Sequence, residues 1–540
     1  MPQAYLDNAA IAERLEALAA LLDLAEAAPY AVRAYRRAAE LVRETPAPVA
    51  ELVLAGRARE LRGIGPGIER RLRELVETGR LAELEELERA VAPEIMGLGR
   101  LLGLSAKRSA DIAQALGIST AEELRIAIRD GRVRAVPGVG AKTVAQLQEA
   151  LAREGPPRPP RALLLNRSRP LLADLAAGVG GVMAGDPRRW RATSERLAIV
   201  SLENDALDRF EHLPQIVAVV ERDEHRALGV TVEGVPVELV HAPARRFGTE
   251  LLRATGSSAY VAALEPLPEA ATEEELYAKL GLPWCPPELR EEPFHGEPPP
   301  LLELADVRGD LHCHTTWSDG KASVLEMAEA ARERGYEYIA ICDHTPGVGA
   351  VPGVSPEDLR RQAEEVADAN ERLAPFRVLR GIECDILRDG SLDLPDDVLA
   401  ELDWVQASVH GGQRMPAREL TRRTVEAMSN PHVHCLSHPK GRILNHRPEN
   451  ALDLEEVFQV ALATGVALEV NGLPDRLDLS GEHVREALTA GVPIVVSTDA
   501  HSVRGLGNME LAVATARRGW ATAADVLNTR PLGELLGRRR

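Results

Sequence analysis

Aromatic side chains are scarce: Phe, Trp and Tyr together make up 3% of the 540 residues. The apolar 45% must therefore pack largely as Leu, Ala and Val. Lysine is also rare, because nearly all of the 64 basic residues are arginine. No stretch approaches the roughly 18 uninterrupted apolar residues that mark a membrane-spanning helix. The segment MPQAYLDNAAIAERLEALAALLDLAE is charged and amphipathic, without a signal-peptide pattern. The protein is therefore expected in the cytoplasm. Five cysteines (Cys285, Cys313, Cys342, Cys384 and Cys435) form no CxxC pair, so neither a zinc ribbon nor a disulfide framework is indicated. Net positive charge is missing too. A formal charge of -19 argues against non-specific DNA binding by the chain as a whole. That charge is uneven: residues 1–155 carry about 22 basic and 23 acidic side chains. The excess acid lies downstream, as suits a domain that collects divalent cations.

At roughly 100–200 residues per domain, the length predicts several domains. Residues 1–155 read as helical, with apolar residues at three- and four-residue spacing, such as Ile11, Leu15, Leu18, Leu21 and Leu22. Two glycine-rich punctuations interrupt them, Leu61-Arg-Gly63-Ile-Gly65-Pro-Gly67 and Val136-Pro-Gly138-Val-Gly140-Ala-Lys142. Gly155-Pro-Pro-Arg-Pro-Pro160 reads as a linker. Residues 161–290 mix strand-like runs (197–200, 216–220, 235–240) with helical segments, an α+β pattern. From 305 onward short apolar strands alternate with helices and end in polar residues: 338–344, 378–383, 404–410, 466–471 and 493–499. That is the pattern of a β/α barrel, in which functional groups belong at the carboxyl ends of strands.

Histidines and carboxylates gather at those ends. In Asp310-Leu-His312-Cys-His314 the two-residue spacing places both imidazoles on one face of a strand, and Asp499-Ala-His501 repeats the device. Asp319, His344, Glu383, His410 and His438 lie between them. A lone strand-end histidine is more often a structural hydrogen-bonder. Six histidines and three carboxylates together suit several first-row divalent ions, Mn²⁺ or Zn²⁺. Cys313 should face away and pack. Lys440 and Arg442, just after His438, are candidates to neutralise a phosphate oxygen.

The strings DLHCHTTWSDG, ICDHT, GIECDIL, SVHGG, SHPKGR and STDAH resemble, in order, the motifs of the polymerase-and-histidinol-phosphatase (PHP) superfamily. The resemblance implies a distorted seven-stranded barrel holding three metal ions. Its implied ligands are His312, His314, Asp319, His344, Glu383, His410, His438, Asp499 and His501. Catalysis would then involve His312, His314, His344 and Asp499, with Lys440 and Arg442.

The two glycine punctuations resemble helix-hairpin-helix elements, whose backbone N–H groups meet a DNA phosphate at a helix N-terminus. Gly63, Gly65, Gly67, Arg70, Gly138, Gly140 and Lys142 are the DNA-binding candidates. With Phe247-Gly248, Thr255-Gly256-Ser257 and the run 277–290, the order of parts resembles bacterial family X DNA polymerases that carry a PHP domain. The resemblance implies an N-terminal helical domain (1–85), a fingers-like helical domain (86–155), a palm and thumb (161–290), a linker (291–304) and the PHP domain (305–540).

Nucleotidyl transfer in that family needs three Mg²⁺-binding carboxylates, two of them in an Asp-x-Asp that follows Gly-Ser-x-Arg-Arg. Here Gly185-Asp186-Pro-Arg188-Arg189 matches the second motif, but the Asp-x-Asp position reads Arg196-Leu-Ala198, and Glu238 stands for the third carboxylate. Arg and Ala hold no Mg²⁺. Gly185, Arg188, Arg189, Glu238, Thr255, Gly256 and Ser257 thus form a vestigial polymerase site. Residues 1–106 contain no lysine, so Schiff-base lyase chemistry is not expected there. The expectation is a monomeric DNA-repair 3′–5′ exonuclease acting on gapped, nicked or 3′-recessed DNA, with abasic-site cleavage and 3′-end cleaning as further activities. A working gap-filling polymerase with editing, a small-molecule phosphatase of the histidinol-phosphatase type, and a non-catalytic DNA-binding scaffold remain as alternatives.

Overall fold

The computed structural model describes residues 6–24, 29–82, 84, 106–118, 120–137, 139–140, 143–145, 147–148, 162–294, 296–349 and 351–537. Its chain falls into two compact units. One comprises Met1–Ala162, Gly178–Gly180 and Glu203–His241; the other comprises Leu163–Ala177, Gly181–Leu202 and Ala242–Arg540. The 161–290 segment, expected as one block, is shared between them.

In the first unit the helical periodicity is realised as helices Asn8–Leu24, Pro29–Glu44, Val49–Leu54 and Pro66–Thr78. Ile11, Leu15 and Leu18 form one fully buried stripe, joined by Val42, Val53, Leu72 and Leu75. Val217 and Val230 complete this core from a three-stranded antiparallel meander of Ile216–Arg222, Arg226–Thr231 and Pro236–His241. A separate core forms around helix Ala121–Arg129, with Ile112, Leu124, Ile128, Val136 and Val139. That helix opens with Thr120 and Glu123 bonding each other's backbone N–H groups, the reciprocal cap that satisfies two orphan donors.

The second unit is dominated by seven parallel strands in sequential order: Gly309–Cys313, Tyr338–Ile341, Arg377–Asp385, Trp404–Ser408, Cys435–Leu436, Ala467–Asn471 and Ile494–Ser497. Backbone bonds close the ring. His314 N–H donates to Ala500 O at 2.9 Å and Asp499 N–H to His312 O at 3.0 Å. The expected β/α barrel is therefore present. Its interior floor is apolar, built from Leu311, Tyr338, Ala340, Leu379, Trp404, Ala467 and Val495. Between strands and outer helices lies a second apolar layer that includes Ile339, Ile341 and Val378 under helices Val324–Glu333 and Pro356–Leu373. All five cysteines are buried and unpaired by disulfides.

The same unit contains the antiparallel pair Gly181–Ala184 and Leu197–Ser201 and helices Leu165–Val179, Phe247–Thr255, Ser258–Leu264 and Glu273–Leu280. Leu165 packs with Leu477 and Leu511 of the barrel region, flanked by Trp190 and Leu444. Glu291 gathers Arg189, Arg191 and Arg518 at 3.0, 2.9 and 2.7 Å. Among the described residues, no helix is long and apolar enough to cross a membrane.

Candidate metal centre at the barrel top

Strand alternation sets what faces inward. On the sixth strand Ala467 belongs to the floor, so Glu469 and Asn471 rise above it on the same face. On the seventh, Val495 places Ser497 and then Asp499 likewise. The first strand would break this rule, since floor-facing Leu311 should turn His312 outward. A register slip between Asp310 and Cys313 resolves the conflict. This β-bulge lets Leu311 and His312 both face inward and sends Cys313 into the outer apolar layer, as expected for that cysteine.

Glu383 sits at the middle of the cluster. Its Oε1 lies 2.8 Å from His438 Nε2 and 3.4 Å from His410 Nε2. Its Oε2 lies 2.8 Å from His344 Nδ1, 3.5 Å from His312 Nε2 and 3.7 Å from His314 Nε2. Asp499 Oδ1 is 3.1 Å from His314 Nε2, and Asp319 Oδ2 is 3.3 Å from His501 Nε2. All nine residues picked out from the sequence thus meet. Three sets have ligand atoms within 4.8 Å of one another: His314–Asp319–His344–His501, His312–His314–Asp499 and His344–Glu383–His410.

The donor atoms themselves fit divalent cations. His314 Nδ1, His344 Nδ1, His410 Nε2 and His438 Nδ1 are buried without a hydrogen-bond partner. His344 Nδ1 is only 2.8 Å from Glu383 Oε2, yet outside hydrogen-bond geometry. The two atoms approach side by side, as ligands of one ion do. Unsatisfied buried polar atoms are costly, and a cation would satisfy them. His438 and Asp499 also hold left-handed backbone, φ 25° and 53°, the kind of strain that concentrates at functional sites.

Charge is balanced by proximity. Burial opposes ionisation of Glu383 and Asp499, but the surrounding histidines hold both well below the usual carboxylate range. Asp319, against its own burial, is brought down to about 2 by His501. Burial, with His344 and His501 nearby, pushes His314 down to about 4, so its imidazole is neutral and available as a ligand.

A supporting layer lies beneath. Glu469 Oε1 is 2.6 Å from His312 Nδ1, and Glu469 also accepts from Ser437 Oγ at 2.8 Å and Ser497 Oγ at 2.5 Å. Asp343 accepts from Thr315, Ser318 and Gln362. Asp310 accepts from Thr498, and Asp385 from the His410 backbone N–H. None of these four carboxylates was singled out from the sequence. Their signal was a charge inside an apolar strand, clearest in Ala467-Leu-Glu469-Val-Asn471.

Lys440 and Arg442 need correction. Lys440 is buried and its ammonium donates to Leu452 O at 2.9 Å. Arg442 donates to the Arg476 and Leu477 carbonyls. Arg442 also approaches Glu449 Oε1 at 3.4 Å, and the hydrogen-bond partners of both side chains lie away from the cluster.

The polymerase-like residues are drawn into contacts with one another. Arg188 forms a two-pronged pair with Glu273, at 2.7 Å for each prong, and donates to Thr255 Oγ1 at 2.9 Å. Arg189 donates to Thr255 O, Asp186 and Glu291. Ser257 caps helix Ser258–Leu264, and Gly256 lies between it and Thr255. Gly185 has positive φ, and a Cβ there would meet Ala198, the residue at the second Asp-x-Asp position. Glu238, in the other unit, lies 3.5 Å from Arg226.

At the first hairpin Gly63 takes φ 114°, and Gly65 caps helix Pro66–Thr78 in extended conformation. Nothing lies within 4 Å of where a Cβ would stand on Gly65 or Gly67. Arg70 is exposed on the same helix, while Ile64 and Ile68 anchor the turn in the core. At the second hairpin Gly140 is likewise open; Gly138 and Lys142 lie outside the described residues.

Comparison with known proteins agrees with this geometry. A helix-hairpin-helix domain model matches residues 6–81, and a PHP domain model matches residues 310–472. Asp499 and His501 lie beyond that second match, and the ring closure brings them beside His314. The barrel region is 29% identical to a protein named probable phosphatase from Thermoanaerobacter sp. (strain X514), over 41% of this chain and 89% of that one. It is 35% identical to another probable phosphatase, from Syntrophotalea carbinolica, over 30% of this chain and 64% of that one. The DNA polymerase/3′-5′ exonuclease PolX of Bacillus subtilis (strain 168) is 33% identical over 96% of this chain and 97% of its own length. With both ends of the molecule matched in the same order, the chain belongs to the PolX family of DNA polymerase/3′-5′ exonucleases.

Proposed function

We propose that this protein is a DNA-repair nuclease whose barrel hydrolyses phosphodiester bonds from the 3′ end. The convergence of nine N and O ligands on one barrel mouth carries this reading. His312, His314, Asp319, His344, Glu383, His410, His438, Asp499 and His501 would hold the ions, which we take to be three, of Mn²⁺ or Zn²⁺. Bound divalent ions supply Lewis acidity and activate water toward phosphorus. The chain's own residues orient the ligands. Glu469 fixes the His312 tautomer by accepting from Nδ1, which leaves Nε2 toward the centre. Asp385 accepts from the His410 backbone N–H, and Asn471 donates to Asp499 Oδ2 at 3.0 Å, so both residues are held in place.

The open surroundings of Gly65 and Gly67 at a helix N-terminus, with exposed Arg70, support DNA-backbone binding by the helical segment, with Gly138, Gly140 and Lys142 in the same role at the second hairpin. The substrates are gapped, nicked or 3′-recessed duplexes, with abasic sites and blocked 3′ ends as further targets, for a cytoplasmic monomer. Template-directed synthesis is lost on this reading, because Arg196-Leu-Ala198 offers no carboxylate pair for Mg²⁺ and Arg188 and Arg189 are already engaged. The likeness of the barrel to probable phosphatases supports a second reading, hydrolysis of small phosphomonoesters. A 5′-labelled, 3′-recessed duplex incubated with Mn²⁺, with and without dNTPs, separates the cases. Shortening by wild type but not by His344→Ala, without extension, is expected. Extension would overturn the loss of synthesis, and cleavage confined to small phosphomonoesters would select the second reading.

A further inference from the structure

Several arginines in this unit are held by carboxylates. Arg188 and Arg290 share Glu273; Arg189, Arg191 and Arg518 share Glu291; Arg517 bonds Glu288 and Glu303. Arg476 is held less firmly. Its side chain is only 17% exposed, yet it makes no hydrogen bond among the described residues. It approaches one carboxylate, with Nε 3.6 Å from Asp499 Oδ2, too long for a hydrogen bond. A guanidinium has five N–H donors, and none of those on Arg476 is fully buried, so they stay open to an incoming acceptor. Such a group calls for an acceptor that arrives from outside.

Its setting identifies the acceptor. Arg476 lies on the loop between Asn471, at the end of the sixth strand, and Ser480, the cap of helix Gly481–Ala490. Arg442 holds that loop in place through the Arg476 and Leu477 carbonyls, and Leu477 takes a left-handed φ of 45°. Two more arginines stand near. Arg447, half-buried, donates Nε to Gly441 O at 2.9 Å and leaves its remaining donors unused. Arg414 is exposed and has no side-chain partner among the described residues. Burial pushes the Arg447 pKa down, and the like charges of Arg476 and Arg414 add to this against the pull of Asp478. Three crowded cations, two of them without a carboxylate in contact, are destabilising alone and stabilised by an anion.

We propose that Arg476 binds a non-bridging oxygen of the scissile phosphate, and that Arg447 and Arg414 extend this positive rim to the neighbouring phosphate of a nucleic-acid strand. Arg476 replaces Lys440 and Arg442 as the cation beside the metal cluster. The proposal rests on the barrel being a phosphoesterase, but its first half holds for a diester or a monoester alike. The rim formed by Arg447 and Arg414 has a role only on a polynucleotide.

The test uses the full chain with Mn²⁺. Inorganic phosphate is the probe for binding, as a competitive inhibitor of the p-nitrophenyl ester of thymidine 5′-monophosphate. Arg476→Gln should weaken phosphate inhibition roughly tenfold to a hundredfold, and Arg476→Lys by less, since the charge stays and the fork is lost. Mn²⁺ content by elemental analysis should stay at the wild-type level in both, which a role confined to orienting Asp499 would not predict. The double variant Arg414→Gln/Arg447→Gln should raise KM for a 5′-labelled oligonucleotide about tenfold and leave the small ester within about twofold. Unchanged phosphate inhibition in both Arg476 variants overturns the proposal while leaving the nuclease reading intact. Conversely, a wild type that ignores DNA but shows Arg476-dependent phosphate inhibition retains Arg476 and removes the nuclease reading together with the second half of the proposal. Loss of Mn²⁺ in Arg476→Lys would mark the residue as structural and also overturn it.

Discussion

Glu469 Oε1 and His312 Nδ1 are 2.6 Å apart in a pocket with no solvent access. Burial opposes charge on both, but their mutual attraction wins: Glu469 is held down to about 2 and His312 is raised well above the ordinary imidazole value. A carboxylate, histidine and cation in line is a recurring arrangement that orients the ring and raises its basicity. Glu469→Gln is expected to lower Mn²⁺ affinity roughly tenfold to a hundredfold, because the amide cannot supply that charge. Activity titrated against Mn²⁺ reads this directly: excess metal should restore most of the lost rate.

Glu383 touches five histidines of the cluster. Glu383→Gln should therefore lose more than one ion per chain and all measurable phosphodiester hydrolysis. Elemental analysis beside an exonuclease assay checks both. Full metal content with lost activity would show that the carboxylate is not a ligand.

Lys440 provides the contrast. Its ammonium serves Leu452 O, so Lys440→Met should lower stability by about 1–3 kcal/mol while KM stays within about twofold. Thermal denaturation and steady-state kinetics together decide.

Glu273 lies between Arg188 and Arg290, buried. Burial alone would raise its pKa, but the two guanidinium groups hold it below the ordinary 4.5. A depressed carboxylate contributes stability that is present above its unfolded value and is lost as pH falls through the folded value. Stability should therefore decline below about pH 4.5, and Glu273→Gln should flatten that decline. At neutral pH the variant leaves two buried cations unpaired, a cost of roughly 3–5 kcal/mol. Urea denaturation across pH measures both effects.

Arg70 is exposed in the first turns of the helix that Gly65 caps, where a Cβ on Gly65 or Gly67 would meet nothing within 4 Å. Arg70→Ala should weaken DNA binding evenly across sequences and reduce the slope of log K against log salt by about one. Fluorescence anisotropy over a salt series checks this; an unchanged slope would remove Arg70 from the contact.

Much of the site was legible because barrel strands end where ligands are needed. Most of the nine candidate ligands stand at or just after the carboxyl end of an apolar strand, which is where the sequence pattern points. The bulge at Asp310–Cys313 was not legible, since a register slip leaves no compositional mark. Glu469 was hidden because one carboxylate inside Ala467–Asn471 reads as a strand residue until its neighbours are known. Lys440 and Arg442 show the reverse error: charge next to a ligand in sequence was mistaken for charge facing the ligand in space. Arg476, 34 residues further along than Arg442, is adjacent through the loop that Arg442 braces. The sharing of residues 161–290 between two units was also out of reach, because local periodicity is blind to which core a strand joins.

Leu165 packs on Leu477, the residue next to Arg476, with Trp190 and Leu444 beside them. This contact has an evolutionary consequence. A lineage that abandons nucleotide polymerisation cannot discard the segment around Leu165 and Trp190 as freely as its carboxylates. Removing that segment would strip the apolar backing from the Arg476 loop. Selection for nuclease activity would then preserve the polymerase's scaffold after its chemistry had gone, and drift would erode the catalytic carboxylates first.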